Sequence, residues 1–313
     1  MSEYARPHRL PDFYAIGAPR CGTTTIYEVL RRQPRIFVPM KEPRFWCDDL
    51  DSGSPADGLF FIRRMEDYAA PYALARPSLC VGDMSTWYLF SQNAVPRILA
   101  ATPNARFIVG IRNPVELMLS LHAWRVAGLS EDIVDFRTAL AAEEDRLRGR
   151  RIPPNVRNRS GLLYRRVASL GEQLQRLATN VPAHKIHVYA YEDFRDDPRA
   201  TLNGILEFLE LPPVAEDEPI PVVNRRRQVS RLRLRTLLMA PRTAIFAKRV
   251  VPAPIRRRVG KLVNLATLGR EGEAASLRYA ERQELLESFR ADIELVSEFT
   301  GRDMWALWSG PPS

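Results

Sequence analysis

The run Gly17-Ala-Pro-Arg-Cys-Gly22-Thr23-Thr24 constrains this chain more than any other feature of it. It follows a short apolar run, Phe13–Gly17, and precedes a helical pattern over Thr23–Arg32 with Ile26, Val29 and Leu30 on one face. A glycine-bounded turn from strand to helix aims backbone N–H groups and the positive end of a helix dipole at one point, and a phosphate fits there. The competing reading is a tight turn that binds nothing. Thr23 and Thr24 at the helix start, and the cation Arg20 inside the loop, favour the anion. The spacing is that of the phosphate loop G-x-x-x-x-G-K-[ST], with Thr23 at the lysine position. Without that lysine a γ-phosphoryl transfer loses its charge clamp. The loop therefore predicts phosphate binding, and it suits a kinase or nucleotide triphosphatase poorly.

Strand-length apolar runs and helical patterns alternate along the chain. Leu79–Gly82, Arg106–Ile111 and Lys185–Tyr191 read as strands. Ala94–Ala101, Pro114–Val126, Glu131–Arg148, Leu162–Ala178, Pro198–Leu209 and Glu273–Thr300 read as helices, Pro114 standing where a missing N–H costs nothing. The Asp196/Asp197 pair is placed to cap the helix at Pro198. This alternation predicts an α/β fold: a central parallel sheet flanked by helices in three layers, resembling the phosphate-loop architecture. No domain boundary stands out before Leu211, so 1–313 is expected to be one domain with a basic excursion at about 224–261.

A second cluster lies at Arg112-Asn-Pro-Val-Glu-Leu-Met-Leu-Ser120. Arg112 ends a strand, where open α/β sheets bind ligands, and Ser120 lies two turns into the following helix. An arginine with a serine suits a second phosphate. Either residue alone reads better as a helix cap or a solvent-facing hydroxyl.

The net charge of +9 is concentrated. Arg225 to Lys261 holds 13 Lys and Arg and no acid, which leaves 33 basic against 37 acidic residues elsewhere. Cationic and apolar residues mix there at near-helical spacing, as in Arg231-Leu-Arg-Leu-Arg235. Two readings stand: a core-facing helix with a solvated basic face, which is favoured, or peripheral contact with an anionic membrane through 225–261. No aromatic interleaving supports a nucleic-acid partner. Three cysteines form no complete disulfide set, and no run approaches the ~20 apolar residues of a membrane span. With no signal-like start, the expectation is a cytoplasmic protein, the alternative being peripheral attachment at the inner membrane face. His184 and His187 flank a strand start and are not expected to converge on a metal. Cys21 reads as a small loop filler, the alternative being a reactive thiol at a helix start.

Together the two phosphate motifs resemble the sulfotransferases that use 3′-phosphoadenosine-5′-phosphosulfate (PAPS). The Gly17–Thr25 loop is similar to that family's 5′-phosphosulfate loop, and Arg112 to Ser120 to its 3′-phosphate motif. Lys41-Glu42-Pro-Arg44-Phe45-Trp46 resembles the K-E-P-x-F-F segment of the branch that contains heparan sulfate sulfotransferases and many bacterial members. Val81-Gly-Asp83-Met-Ser85 resembles that branch's G-E-x-S segment, and Ser160–Tyr164 and Tyr189–Phe194 fall in the family's order.

The resemblance implies transfer of a sulfuryl group from PAPS to a hydroxyl or amine of a carbohydrate, lipid or small molecule, without a metal, by a monomer or homodimer. It implies Glu42 as the base and Arg20, in place of the loop's usual lysine, as the charge that stabilises the leaving oxygen. Arg20, Cys21, Gly22, Thr23, Thr24 and Thr25 would hold the 5′-phosphate. Arg112, Ser120, Tyr164, Arg225 and Arg226 would complete the nucleotide site. Lys41, Arg44, Asp83 and Ser85 are expected on the acceptor side. Met84 and Arg44 depart from the heparan-type pattern, so the acceptor does not follow from the heparan sulfate enzymes. Without the family match, Glu42 reads as a surface ion pair with Lys41 or Arg44. The alternative function is a nucleotide kinase or triphosphatase with a degenerate loop.

Overall fold

Five parallel strands form the sheet, in the order β2-β3-β1-β4-β5: β1 (Phe13–Gly17), β2 (Ile36–Phe37), β3 (Cys80–Met84), β4 (Arg106–Ile111) and β5 (Ile186–Ala190). The coordinates are a computed structural model and describe residues 9–54, 57–154, 156–221, 227–229, 268–271 and 277–310. Alternate residues of β1 supply opposite faces of the sheet, as a period of two requires. Tyr14 and Ile16 join one core, and Phe13 and Ala15 the other.

The helices are α1 (Thr23–Leu30), α2 (Met65–Ala69), α3 (Ala94–Ala101), α4 (Pro114–Ala127), α5 (Phe136–Ala141), α6 (Glu143–Leu147), α7 (Tyr164–Ala168), α8 (Leu170–Ala178), α9 (Tyr191–Asp196), α10 (Pro198–Phe208), α11 (Tyr279–Glu287), α12 (Arg290–Thr300) and α13 (Met304–Ser309). α1 packs Ile26, Val29 and Leu30, and α10 packs Leu202, Ile205 and Leu206, onto the Phe13 face. α4, α7, α8 and α12 cover the other face. Both faces are therefore dry, and the strands read as continuous apolar runs. The observed layers are those the strand–helix alternation predicts.

Two long helical patterns break into pieces. The pattern over Glu131–Arg148 becomes α5 and α6, starting only at Asp135, whose carboxylate accepts from the Thr138 N–H at 2.8 Å. Glu131 is held out of the helix by burial and an ion pair to Arg146. Leu162–Ala178 splits at Ser169 into α7 and α8. The cap expected of the Asp196/Asp197 pair is made by Asp197, which accepts from the Ala200 N–H at α10; at α4 Asn113 caps the helix by accepting from the Val115 and Glu116 N–H groups. Strands β6 (Arg227–Val229) and β7 (Leu268–Glu271) pair antiparallel, and β6 runs beside α4. The rest of the basic segment, Arg225 and Arg226 included, lies outside the described residues.

Candidate active site

The C-terminal ends of β1, β3 and β4 converge on one cleft of about 480 Å³, where a parallel α/β sheet concentrates its loops. The turn after β1 lines it with Arg20, Gly22, Thr23, Thr24 and Thr25. Gly22 precedes α1 with φ +76°, a left-handed conformation that favours glycine, and no side chain caps the helix. A Cβ at Gly22 would also stand 2.4 Å from the Phe194 ring. The loop's carbonyl oxygens are engaged from the sheet: Arg112 donates to the Arg20 carbonyl at 2.7 Å, and the Tyr189 hydroxyl to that of Cys21 at 2.8 Å. An uncapped helix start thus opens onto the cleft.

The two phosphate motifs meet there. The Nε of Arg20 donates to Ser120 Oγ at 3.0 Å. The Arg112 guanidinium lies 4.0 Å from the centre of the Tyr191 ring, and its buried Nε has no hydrogen-bond partner among the described residues.

The segment after β2 forms the facing wall. Lys41 bridges to Met84, the Glu42 N–H donates to the Met84 carbonyl at 3.0 Å, and the Lys41 ammonium donates to Thr24 Oγ1 at 2.7 Å. Burial lowers the Lys41 pKa from its ordinary value, against the pull of Glu42. Glu42 projects from a left-handed backbone, φ +59°. Its Oε1 accepts from the Thr86 hydroxyl at 3.0 Å, and its Oε2 lies 3.0 Å from an Arg44 nitrogen without hydrogen-bond alignment. Arg44 also donates to the carbonyls of Glu42 and Phe60 and stacks 3.6 Å above the Phe60 ring. The cleft lining carries five cationic side chains, Arg20, Lys41, Arg44, Arg112 and Arg195, against one carboxylate, Glu42. Such a balance selects an anionic ligand.

Four expected site residues do not face this cleft. Tyr164 is fully buried, its hydroxyl donating to Glu131 at 2.7 Å beside Arg146; that partner ties it to the core. Asp83 and Ser85 are likewise fully buried, because both faces of the sheet are covered at β3. The Cys21 side chain is buried under the loop, and burial raises its thiol pKa to about 12, so it fills the turn. Phe194, Tyr191 and Thr86 line the cleft and are not among the expected site residues; the tryptophans Trp46, Trp87 and Trp124, which by type suit either the core or a substrate cleft, divide between the two. Tyr191 and Phe194 stand in the Tyr189–Phe194 motif, and Thr86 directly follows the Val81–Ser85 segment, where nothing in the motif marks its hydroxyl. Trp46 belongs to the core, while Trp87 reaches the cleft from a buried position and Trp124 stands at its rim, 40% exposed. The His187 ring stacks on Phe208. Among the described residues no group of three or more His, Cys, Asp or Glu is placed to hold a metal, and no helix is long and apolar enough to cross a membrane.

The family model described as "Sulfotransferase family" matches residues 11–216. The chain belongs to that family. It is 25% identical over 272 residues to human carbohydrate sulfotransferase 15, an alignment covering 71% of this chain and 48% of that protein. It is 27% identical over 124 residues to the membrane-associated sulfotransferase kil1 of Dictyostelium discoideum, covering 39% of this chain and 25% of that one. The chain thus spans about half the length of the carbohydrate sulfotransferase it matches, and less of kil1. Among solved structures, a sulfotransferase from Alicyclobacillus acidocaldarius superposes with a TM-score of 0.68 at 23% identity, covering 96% of this chain and 99% of that one, which shows a shared fold.

Proposed function

We propose that the cleft transfers a sulfuryl group from PAPS to a hydroxyl or amine of an acceptor, with Glu42 as the base. The observation that carries this reading is the placement of Glu42, on a left-handed backbone, in a cleft shared with the phosphate loop and Arg112. The residues fit the donor at two anion-attracting poles. One is the start of α1, which no side chain caps among the described residues, with Arg20 and Thr23–Thr25; the other is Arg112 with Ser120, where a buried guanidinium nitrogen lacks a partner among the described residues. Bound PAPS supplies the activated sulfuryl group and a phosphate leaving group.

The chain's own residues then do three things. The loop and Arg112 fix the donor in place, which is the larger part of an in-line transfer. Glu42 takes the proton as the acceptor oxygen or nitrogen bonds to sulfur. Arg20 faces the negative charge that gathers on the bridging oxygen as the sulfur–oxygen bond breaks and its electron pair stays with the phosphate. An arginine supplies charge there and is no practical proton donor.

The kinase alternative has little support, since Thr23 replaces the loop lysine and the family is that of sulfotransferases. The similarity to carbohydrate sulfotransferase 15 supports a carbohydrate acceptor over a lipid or other small molecule. The cytoplasmic location expected from the sequence finds no support in a relative named membrane-associated. We take the chain as one domain, because α11, α12 and α13 pack back onto α4, α8 and one another. The test is transfer of labelled sulfate from PAPS to unsulfated chondroitin and to a panel of simple glycosides and phenols, with and without Glu42→Gln. The reading expects transfer to at least one acceptor and its loss in the variant. Full activity of the variant would remove Glu42 from the role.

A further inference from the structure

We propose that Asp83 is a positioning residue for transfer: one buried carboxylate anchors three consecutive residues, Arg44, Phe45 and Trp46, and through them fixes the left-handed turn that presents Glu42. This inference rests on the reading of Glu42 as the base.

Asp83 faces the same side of the sheet as Tyr14, its register partner on β1, and is fully buried. A buried carboxylate is costly unless its oxygens are occupied. Here three hydroxyls occupy them. Ser85 donates to Oδ1 at 2.9 Å, and Tyr68 and Tyr88 each donate to Oδ2 at 2.9 Å.

Each of those hydroxyls also accepts from the segment behind Glu42. The Arg44 N–H donates to Ser85 Oγ at 3.1 Å, the Phe45 N–H to the Tyr88 hydroxyl at 3.1 Å, and the Trp46 indole N–H to the Tyr68 hydroxyl at 2.9 Å. While Asp83 is ionised it accepts from all three, so each hydroxyl hydrogen points to it and each oxygen is left to accept in turn. The polarity of the whole network is set from one atom pair.

The segment needs such an anchor. Glu42 and Arg44 sit at φ +59° and +54°, left-handed conformations that strain an L-residue and persist where surroundings over-determine them. Pro43 between them contributes no N–H. On the other side the Glu42 N–H is tied to the Met84 carbonyl, the residue after Asp83. The base is therefore clamped from both sides by the end of β3.

Asp83→Asn keeps shape and reverses polarity. The amide donates where Oδ2 accepted, and the two tyrosine hydroxyls lose their common acceptor. The experiment compares the full-length wild type, Asp83→Asn, Ser85→Ala and Tyr88→Phe by three readouts: amide hydrogen exchange over 42–46, affinity for 3′-phosphoadenosine-5′-phosphate (PAP), and kcat and KM for transfer from PAPS to unsulfated chondroitin. The expected result is exchange at least tenfold faster over 42–46, PAP affinity within twofold of wild type, and kcat at least tenfold lower with KM for PAPS unchanged. Ser85→Ala and Tyr88→Phe each remove one anchor and give the same pattern at smaller size, which keeps the inference testable should Asp83→Asn not fold. Unchanged exchange or unchanged kcat in the folded variants overturns the inference, as does loss of PAP binding in step with turnover. Absence of transfer by the wild type counts against the transferase reading itself and is seen in that reaction alone. Exchange and PAP affinity still decide whether Asp83 holds the segment.

Discussion

Arg20 and Ser120 are a hundred residues apart in sequence and 3.0 Å apart in the cleft, the guanidinium donating to the hydroxyl. The cation of the first phosphate loop is thereby oriented by the second phosphate motif. Two sites that the sequence presents separately form one polar wall. Arg20→Ala removes that cation while leaving Ser120 and the fold in place. The expected outcome is a fall in transfer rate of about tenfold to a hundredfold, the scale of losing one charge-assisted contact. Arg20→Lys is expected to recover part of it, as single-turnover rates with labelled PAPS would show.

Glu42→Gln preserves the volume and the hydrogen bond from Thr86 but cannot accept a proton. Turnover should fall about a hundredfold to ten-thousandfold, the usual worth of a positioned base. PAP affinity should stay within a few-fold, because the two poles proposed for the donor lie elsewhere in the cleft.

Gly22→Ala places a methyl group at φ +76° and 2.4 Å from the Phe194 ring. Backbone strain and overpacking together predict a loss of about 1–3 kcal/mol in stability, with weakened PAP binding. Chemical denaturation beside a PAP titration measures both. Wild-type stability in this variant would mean that the loop does not hold the described conformation.

Glu131 and Arg146 form a buried ion pair at 2.7 Å, and Tyr164 donates to the same carboxylate. Removing one partner of such a pair leaves the other buried and unpaired. Glu131→Ala is predicted to cost about 3–5 kcal/mol in denaturant unfolding.

Burial raises the Asp83 pKa from 3.8 to about 7, while the hydroxyls of Tyr88, Ser85 and Tyr68 oppose the shift. The folded state therefore holds this proton more tightly than the unfolded chain. Its contribution to stability is full below pH 3.8 and is lost as pH rises through about 7. The unfolding free energy of the wild type relative to Asp83→Asn should fall between those limits, and a flat difference would contradict the burial of the charge.

The layers of the fold were legible because apolar strands buried on both faces and amphipathic helices leave a plain periodic trace. The strands at Phe13, Arg106 and Lys185 sit where their patterns predict, within two residues. β2 went unread, since two residues carry no periodicity. The pattern over Glu131–Arg148 overran its true start because Glu131, polar by type, is buried by an ion pair that no local sequence announces. The cleft's loop was legible from its glycine spacing and from Arg20, whereas its facing wall was read through the resemblance alone, since Glu42 by itself reads as a surface ion pair. The roles expected of Asp83 and Ser85 failed for a tertiary reason. The resemblance alone put them on the acceptor side, yet here β3 is an interior strand, the segment after β2 folds over its end, and both residues are buried. Tyr164 was misread in the same way: its hydroxyl turns inward to Glu131.

The most direct test of the account is calorimetric titration of the protein with PAP, beside ATP, for the wild type and Arg112→Ala. The account predicts tight PAP binding, weaker binding of ATP, and a loss of PAP affinity of at least tenfold in Arg112→Ala, the scale of one buried charged contact. No PAP binding by folded wild type, or equal binding by Arg112→Ala, would contradict it.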